Sequence, residues 1–160
     1  MKPKQVKFRW SDLDPNRHVR NSAYTDAFVE MRMTMFKKAG YTIDTLGKLQ
    51  LGPVALNEHT YYLKEILGAQ TVSVDICLAG HSEDQRYWRF AQHMYNEEGV
   101  LCAYHEFAFG VMDLVKRKIV TPPKEMLEAF FHLTRTEQFE IFEKSTLRMD
   151  RIPYGKTLDI

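Results

Sequence analysis

The chain is expected to fold as an α+β protein, an antiparallel sheet wrapped around one long central helix. Three observations predict this. Residues 23–39 carry apolar side chains at helical spacing on more than one face, so that helix needs cover on several sides. Downstream of it, four stretches with strand patterning follow one another closely, which favours hairpins. The length is 160 residues with 44% hydrophobic composition, enough for one real core and short for two domains.

The elements read in order as follows. Residues 4–10 alternate loosely, with Val6, Phe8 and Trp10 on one parity, a strand with one buried face. Residues 11–22 are rich in turn and capping types. In the helix over 23–39, Tyr24, Ala27, Phe28, Met31 and Met35 recur at spacings of three and four, and Met33 and Phe36 widen the apolar surface. Asn21 or Ser22 suits its start, Lys37 and Lys38 its end, and Gly40 the position just beyond. Residues 54–65 form a long aromatic strand that bends. Residues 70–79 alternate, with Val72, Val74, Ile76 and Leu78 set against Thr71, Ser73, Asp75 and Cys77. Strands over 86–95 and 100–112 are joined by the turn Asn96-Glu-Glu-Gly99. Pro122 and Pro123 open a helix over 124–132. The domain is drawn at 1–133, and 134–160 is a charged extension with a helix expected around 137–144, packing on the domain or on a dimer partner.

Charge narrows the function. The 22 basic and 21 acidic residues leave a net charge of +1, which gives no bulk attraction to nucleic acid or membrane. The basic N-terminal stretch has no apolar run behind it, so it does not read as a secretory signal. Cys77 and Cys102 sit in apolar strand-like segments and read as free thiols of a cytoplasmic protein.

The chemistry concentrates in Asp12-Leu-Asp14-Pro-Asn16-Arg-His18-Val-Arg-Asn21-Ser-Ala-Tyr24. Acid, amide and imidazole alternate in a loop that feeds the N-terminus of an apolar helix. Thioester hydrolysis needs a carboxylate, groups that hold it and the water, and donors for the oxyanion. The free N–H groups of the first helical turn are ready donors. A million-fold acceleration requires roughly 8 kcal/mol. General-base help supplies about 3–5 kcal/mol and an oxyanion donor about 3–4 kcal/mol, so no metal or organic cofactor is required. Spacing alone nevertheless favours a plainer reading, in which Asp12, Asp14, Asn16 and Asn21 are turn and capping residues.

A resemblance changes that weighting. Residues 10–24 resemble the first motif of the 4-hydroxybenzoyl-CoA and acyl-ACP thioesterase group of hot-dog proteins, which reads D-x-D-x-N-x-H-V-x-N with a tyrosine at the helix start. Tyr62-Leu-Lys-Glu65 resembles the Y-R-R-E segment of the acyl-ACP thioesterases. The resemblance spans roughly residues 6–123, and Thr121-Pro-Pro123 resembles the family's usual ending. It implies a hot-dog fold and a thioesterase in which Asp14, Asn16, His18 and Glu65 form the catalytic set. Asp14 either attacks the carbonyl or deprotonates a water held by Glu65, Asn16 orients the acid or carbonyl, and His18 donates or shuttles a proton. Asn21 and Tyr24 would contact substrate. The implied substrate is acyl-CoA or acyl carrier protein, tilted toward a fatty acyl group. Two departures matter. Arg20 stands where the family often has Asn, and Ile66 stands where plant-type enzymes carry a cysteine, which excludes a cysteine nucleophile there. Plant-type chains also hold two hot-dog units, so a single-unit chain needs a homodimer or homotetramer, which would close the open sheet edge as well.

Other features weigh less. Arg86, Arg89 and residues 116–118 suit CoA phosphates, although a solvated charge run is the plainer reading. The remaining histidines form no close pair with a second His or Cys in sequence, so no metal site is expected. His81 and His93 read as facing solvent or a hairpin neighbour. No G-x-S-x-G elbow or phosphate-binding glycine loop occurs. A hot-dog dehydratase would carry a Pro/Gly-rich loop after its histidine, and Val19-Arg-Asn follows His18 instead. A non-catalytic acyl-CoA-binding protein is the alternative from another class, and it would have no need of all four catalytic-type residues.

Overall fold

The computed structural model describes residues 1–68 and 70–148, so the end of the expected extension, 149–160, lies outside the described residues. The central helix α1 spans Asn21–Lys38 and buries Ala23, Tyr24, Ala27, Phe28, Met31, Arg32, Met35 and Phe36. Its end is set by Gly40, at φ 85°. There the Gly40 N–H bonds Lys37 O (3.0 Å) and the Tyr41 N–H bonds Phe36 O (2.9 Å). This double closure wants a left-handed residue that only glycine adopts cheaply.

Around α1 the described residues build one sheet of eight strands. These are β1 (Lys4–Lys7), β2 (Leu51–Tyr62), β3 (Thr71–Val74), β4 (Cys77–Ser82), β5 (Tyr87–Tyr95), β6 (Leu101–Asp113), β7 (Lys118–Val120) and β8 (Arg135–Phe142). β5 is central, antiparallel to β3 and β4 on one side and to β6 on the other. β6 pairs in turn with β2, and β7 folds back onto the end of β6. β1 flanks β3. The bend expected in β2 is a register shift between Ala55 and Asn57. Phe28 and Met31 of α1 share one core cluster with Trp88, Phe90, Met94 and Phe109 of the sheet, all with essentially no exposure. Each such side chain contributes about 1.5–3 kcal/mol of transfer free energy. A sheet curled about one long helix is the hot-dog fold. No described helix is long and apolar enough to cross a membrane.

Several details differ from the sequence reading, among them Trp10, which lies in a 3-10 turn beyond the end of β1 at Lys7 and is exposed. The strand over 70–79 is broken at Asp75 and Ile76 into β3 and β4, although Val72, Val74, Ile76 and Leu78 are all buried as the alternation requires. A short helix α2 (Ile43–Leu49) precedes β2, capped by Thr42, whose Oγ1 accepts the Thr45 N–H (3.2 Å). The helix expected around 137–144 is instead β8, which joins the sheet parallel to β4 before a 3-10 turn at Lys144–Leu147. Of the two settings expected for His81, solvent or a hairpin neighbour, the second holds: it packs on Trp88 across the β4–β5 hairpin (ring centroids 5.2 Å) and is 7% exposed, with Phe131 of helix α3 (Lys124–Phe131) and Phe139 of β8 also against its ring. β8 also explains Gly80, where a Cβ would stand 2.4 Å from Glu140 O.

One polar cluster lies inside the core. Arg32 Nη1 donates to Gln92 Oε1 and to His105 Nε2, both at 3.0 Å, and the guanidinium lies 3.8 Å from the Phe107 ring centroid. Since arginine can only donate, His105 is neutral with its proton on Nδ1, which donates to Thr60 Oγ1 (2.8 Å). Gln92 Nε2 closes the set by donating to Phe28 O (2.9 Å). Burial, then the Arg32 charge, pushes His105 down to about 4. Burial also lowers Arg32, to about 10.

Candidate active site

The loop entering α1 is built around two aspartates with different duties. Asp12 is 7% exposed and is committed to structure. Its Oδ2 accepts the Arg9 N–H (2.7 Å) and Arg9 Nε (3.2 Å), and Oδ1 accepts Arg9 Nη2 (3.1 Å). The hydrogen bonds from Arg9 hold this carboxyl below the usual carboxylate range. Asp14 begins a tight turn in which Arg17 takes φ 65°. The Asp14 N–H bonds His18 O (2.8 Å) and the Arg17 N–H bonds Asp14 O (3.0 Å). Within this turn Asp14 Oδ1 accepts two backbone N–H groups, of Asn16 (2.9 Å) and His18 (3.0 Å).

The strand-like exit from the turn pairs with the segment after β2. Val19 N–H bonds Ile66 O (2.8 Å), and His18 bridges Leu67. Ile66 is fully buried and anchors the segment. This pairing sets Glu65 beside the loop, with its Oε2 3.1 Å from His18 Nε2. A cleft of about 330 Å³ opens there, walled by Asp14, His18, Asn21, Tyr24, Tyr62 and Glu65 among others. That volume is at the lower end of small-molecule sites. Tyr24 lies edge-on to Tyr62, with centroids 5.2 Å apart. Burial pushes its phenol up to about 12, so it remains a neutral donor. The N-cap of α1, Arg20, supplies no capping side chain.

The structure thus brings together Asp14, His18, Glu65, Asn21 and Tyr24. Asn16 contributes its backbone N–H to Asp14, while its side chain is exposed and is not on the cleft wall. Arg86 and Arg89 are not gathered at this cleft. Arg86 Nε lies 3.5 Å from Asp84 Oδ2. Arg89 pairs with Glu140 across the β8 edge and lies over the Phe142 ring. Tyr62 and Lys64, which also line the cleft, belong to the Tyr62-Leu-Lys-Glu65 segment that the sequence set beside the family's Y-R-R-E.

Comparison with known proteins fixes the class. The family model of the thioesterase-like superfamily matches residues 8–130. Among solved structures, a hypothetical protein of Staphylococcus aureus in complex with CoA aligns at TM-score 0.76 and 16% identity over 99% of this chain and 94% of that one. DHNA-CoA thioesterase from Staphylococcus aureus aligns at 0.73 and 16%, over 81% and 88%. A 1,4-dihydroxy-2-naphthoyl-CoA thioesterase from Synechocystis aligns at 0.74 and 10%, over 82% and 96%. No curated protein matches. The fold is therefore that of the hot-dog thioesterases. The chain belongs to the thioesterase-like superfamily and is a thioester hydrolase.

Proposed function

We propose that the protein hydrolyses an acyl-CoA thioester in the cleft between the Asp14 loop and Glu65. The observation that carries this reading is the fixed carboxylate. Two backbone N–H groups grip Asp14 Oδ1, and Oδ2 is the oxygen assigned to the chemistry. It attacks the thioester carbonyl or takes a proton from water oriented by Glu65, whose contact with His18 (3.1 Å) holds both side chains at the cleft. The Asn21 and Ser22 N–H groups at the start of α1 and the Tyr24 phenol supply the oxyanion donors, the Ala23 N–H being taken by Arg20 O (2.9 Å). Asn16 acts through its backbone. Arg86 and Arg89 take phosphate contacts only where a second copy brings them near a CoA. The CoA-bound neighbour supports CoA over carrier protein as the thiol partner.

The same reading pairs two copies through β2. Among the described residues this strand is bonded only to β6, and Val29, Met33 and Leu56 stand 40%, 36% and 43% exposed. Pairing would close an open strand edge and cover apolar surface. Sedimentation should give a dimer or a tetramer, and a monomer at micromolar concentration would refute the pairing. Two free thiols, Cys77 and Cys102, fit a cytoplasmic protein.

The deciding experiment measures thiol release from short, medium and long aliphatic acyl-CoA, benzoyl-CoA and hydroxybenzoyl-CoA. Turnover of at least one ester, lost in Asp14→Asn, is expected. Silence on every acyl-CoA and on acyl carrier protein, with binding retained, would overturn the reading in favour of a non-catalytic acyl-binding protein.

A further inference from the structure

A second group of reactive side chains lies outside the cleft, where β3 breaks into β4. Asp75 and Cys77 are two residues apart and alternate with the buried Val74, Ile76 and Leu78, so both project from the sheet face opposite α1. His93 joins them from β5. The Asp75 N–H donates to His93 O (3.0 Å), and Asp75 Oδ1 accepts both the His93 N–H (3.1 Å) and His93 Nδ1 (2.7 Å). Cys77 pairs with Ala91, two positions along β5 on the same face. The carboxylate oxygen, thiol sulfur and imidazole nitrogen lie within 4.8 Å of one another, and all three residues are half-buried. Tyr95 and Tyr104 flank the His93 ring, with centroids at 6.1 and 5.3 Å, and limit its rotation.

From this cluster we infer that Asp75, Cys77 and His93 form a divalent-cation site, selective for Zn²⁺ and separate from the thioesterase cleft. The donor set is one thiolate, one imidazole and one carboxylate, a combination that suits Zn²⁺ better than oxygen-seeking Mg²⁺ or Ca²⁺. Thiolate and carboxylate together carry two negative charges and neutralise a divalent ion. Three protein ligands leave the fourth tetrahedral position to water. Cys77 and His93 sit on β4 and β5, and Asp75, at the break between β3 and β4, is tied to His93 by a backbone hydrogen bond, so little chain entropy is lost on binding. Ligands bind a metal in their deprotonated forms, so uptake of the ion releases protons. The groups facing His93 are Asp75 and Cys77 across the ladder, Tyr95 on its own strand and Tyr104 on β6.

Full-length protein, freed of metal with a chelator and kept reduced, is titrated with Co²⁺ and followed by absorbance. One Co²⁺ per chain is expected, with a sulfur-to-cobalt charge-transfer band and visible bands of tetrahedral intensity, both erased by Zn²⁺. Cys77→Ser should abolish the charge-transfer band, and Cys102→Ala should leave it intact. His93→Gln keeps a donor for Asp75 and so preserves the strand pairing. It should weaken Co²⁺ at least about ten-fold without lowering the melting temperature of the metal-free protein by more than a few degrees. No band in the wild type, a band that survives Cys77→Ser, or unchanged affinity in His93→Gln would each overturn the site and leave only a structural Asp–His pair. Thiol release from acyl-CoA should continue in chelator, which keeps this test independent of the one for the cleft.

Discussion

Asp14 has two jobs that substitutions can separate. Its Oδ1 holds the turn through the N–H groups of Asn16 and His18, and its charge and second oxygen serve the reaction. Asp14→Asn retains an acceptor oxygen for both N–H groups and removes the basicity. Loss of a general base or nucleophile costs about 3–5 kcal/mol of transition-state stabilisation, or roughly a hundred- to ten-thousand-fold in kcat/KM. Asp14→Ala loses the same chemistry and also releases the turn. Truncating a side chain that bonds backbone N–H groups in this way costs about 1–2 kcal/mol. For a protein of this size that lowers Tm by about 2–8 °C. The expected pattern is therefore equal loss of thiol release in the two variants with an unequal loss of Tm, read by the thiol-release assay and differential scanning calorimetry. An Asn variant with near wild-type kcat/KM would refute the catalytic assignment. Equal Tm losses in Asn and Ala would refute the account of the turn.

Two further outcomes are expected. His105 has its folded-state value depressed to about 4 from an unfolded value of about 6.5, so the unfolded chain binds the extra proton between those values. Stability is then full above about pH 6.5 and falls by roughly 3 kcal/mol as pH drops toward 4. Urea titrations at pH 7 and pH 4.5 measure this, and a flat profile in that window would contradict a buried neutral imidazole. Glu65→Gln removes the charge that faces His18 Nε2 at 3.1 Å and should lower kcat by about ten- to a hundred-fold with little change in KM, whereas a rise in KM alone would make Glu65 a binding residue.

Much of the frame was legible from local chemistry. The spacing from Tyr24 to Met35, Gly40 after it and the turn at Asn96 to Gly99 each express a local rule, and the chain obeys them. Asp14, His18 and Glu65 were visible as a motif, and the pairing of Val19 with Ile66 is what gives that motif its geometry. What local pattern could not supply was partner identity. In β8 the more buried positions are Thr136, Phe139 and Phe142, a spacing of three that imitates a helix. It arises because β8 gains residues against β4, pairing Arg135 with Leu78 but Glu140 with Gly80. Asp12 and Asp14 look alike in sequence and are told apart by their partners, Arg9 for the first and the N–H groups of Asn16 and His18 for the second. Asp75 and His93 are 18 positions apart, too far for any spacing rule to join them.

The buried cluster around Arg32 bears on the distant cleft. Arg32 lies eleven residues beyond Asn21, about 16 Å along the axis of α1. A hydrocarbon interface between helix and sheet would tolerate small slides, since one methyl contact replaces another at little penalty. A guanidinium answered by Gln92 and His105 does not slide, because a shift of one residue would strand its donors among aromatic rings. The helix is thereby indexed against the sheet like a shaft against a key. The end of that shaft carries Asn21 and Tyr24, where oxyanion stabilisation is sensitive to a fraction of an ångström. Thioester turnover should thus report on a side chain that never meets the substrate.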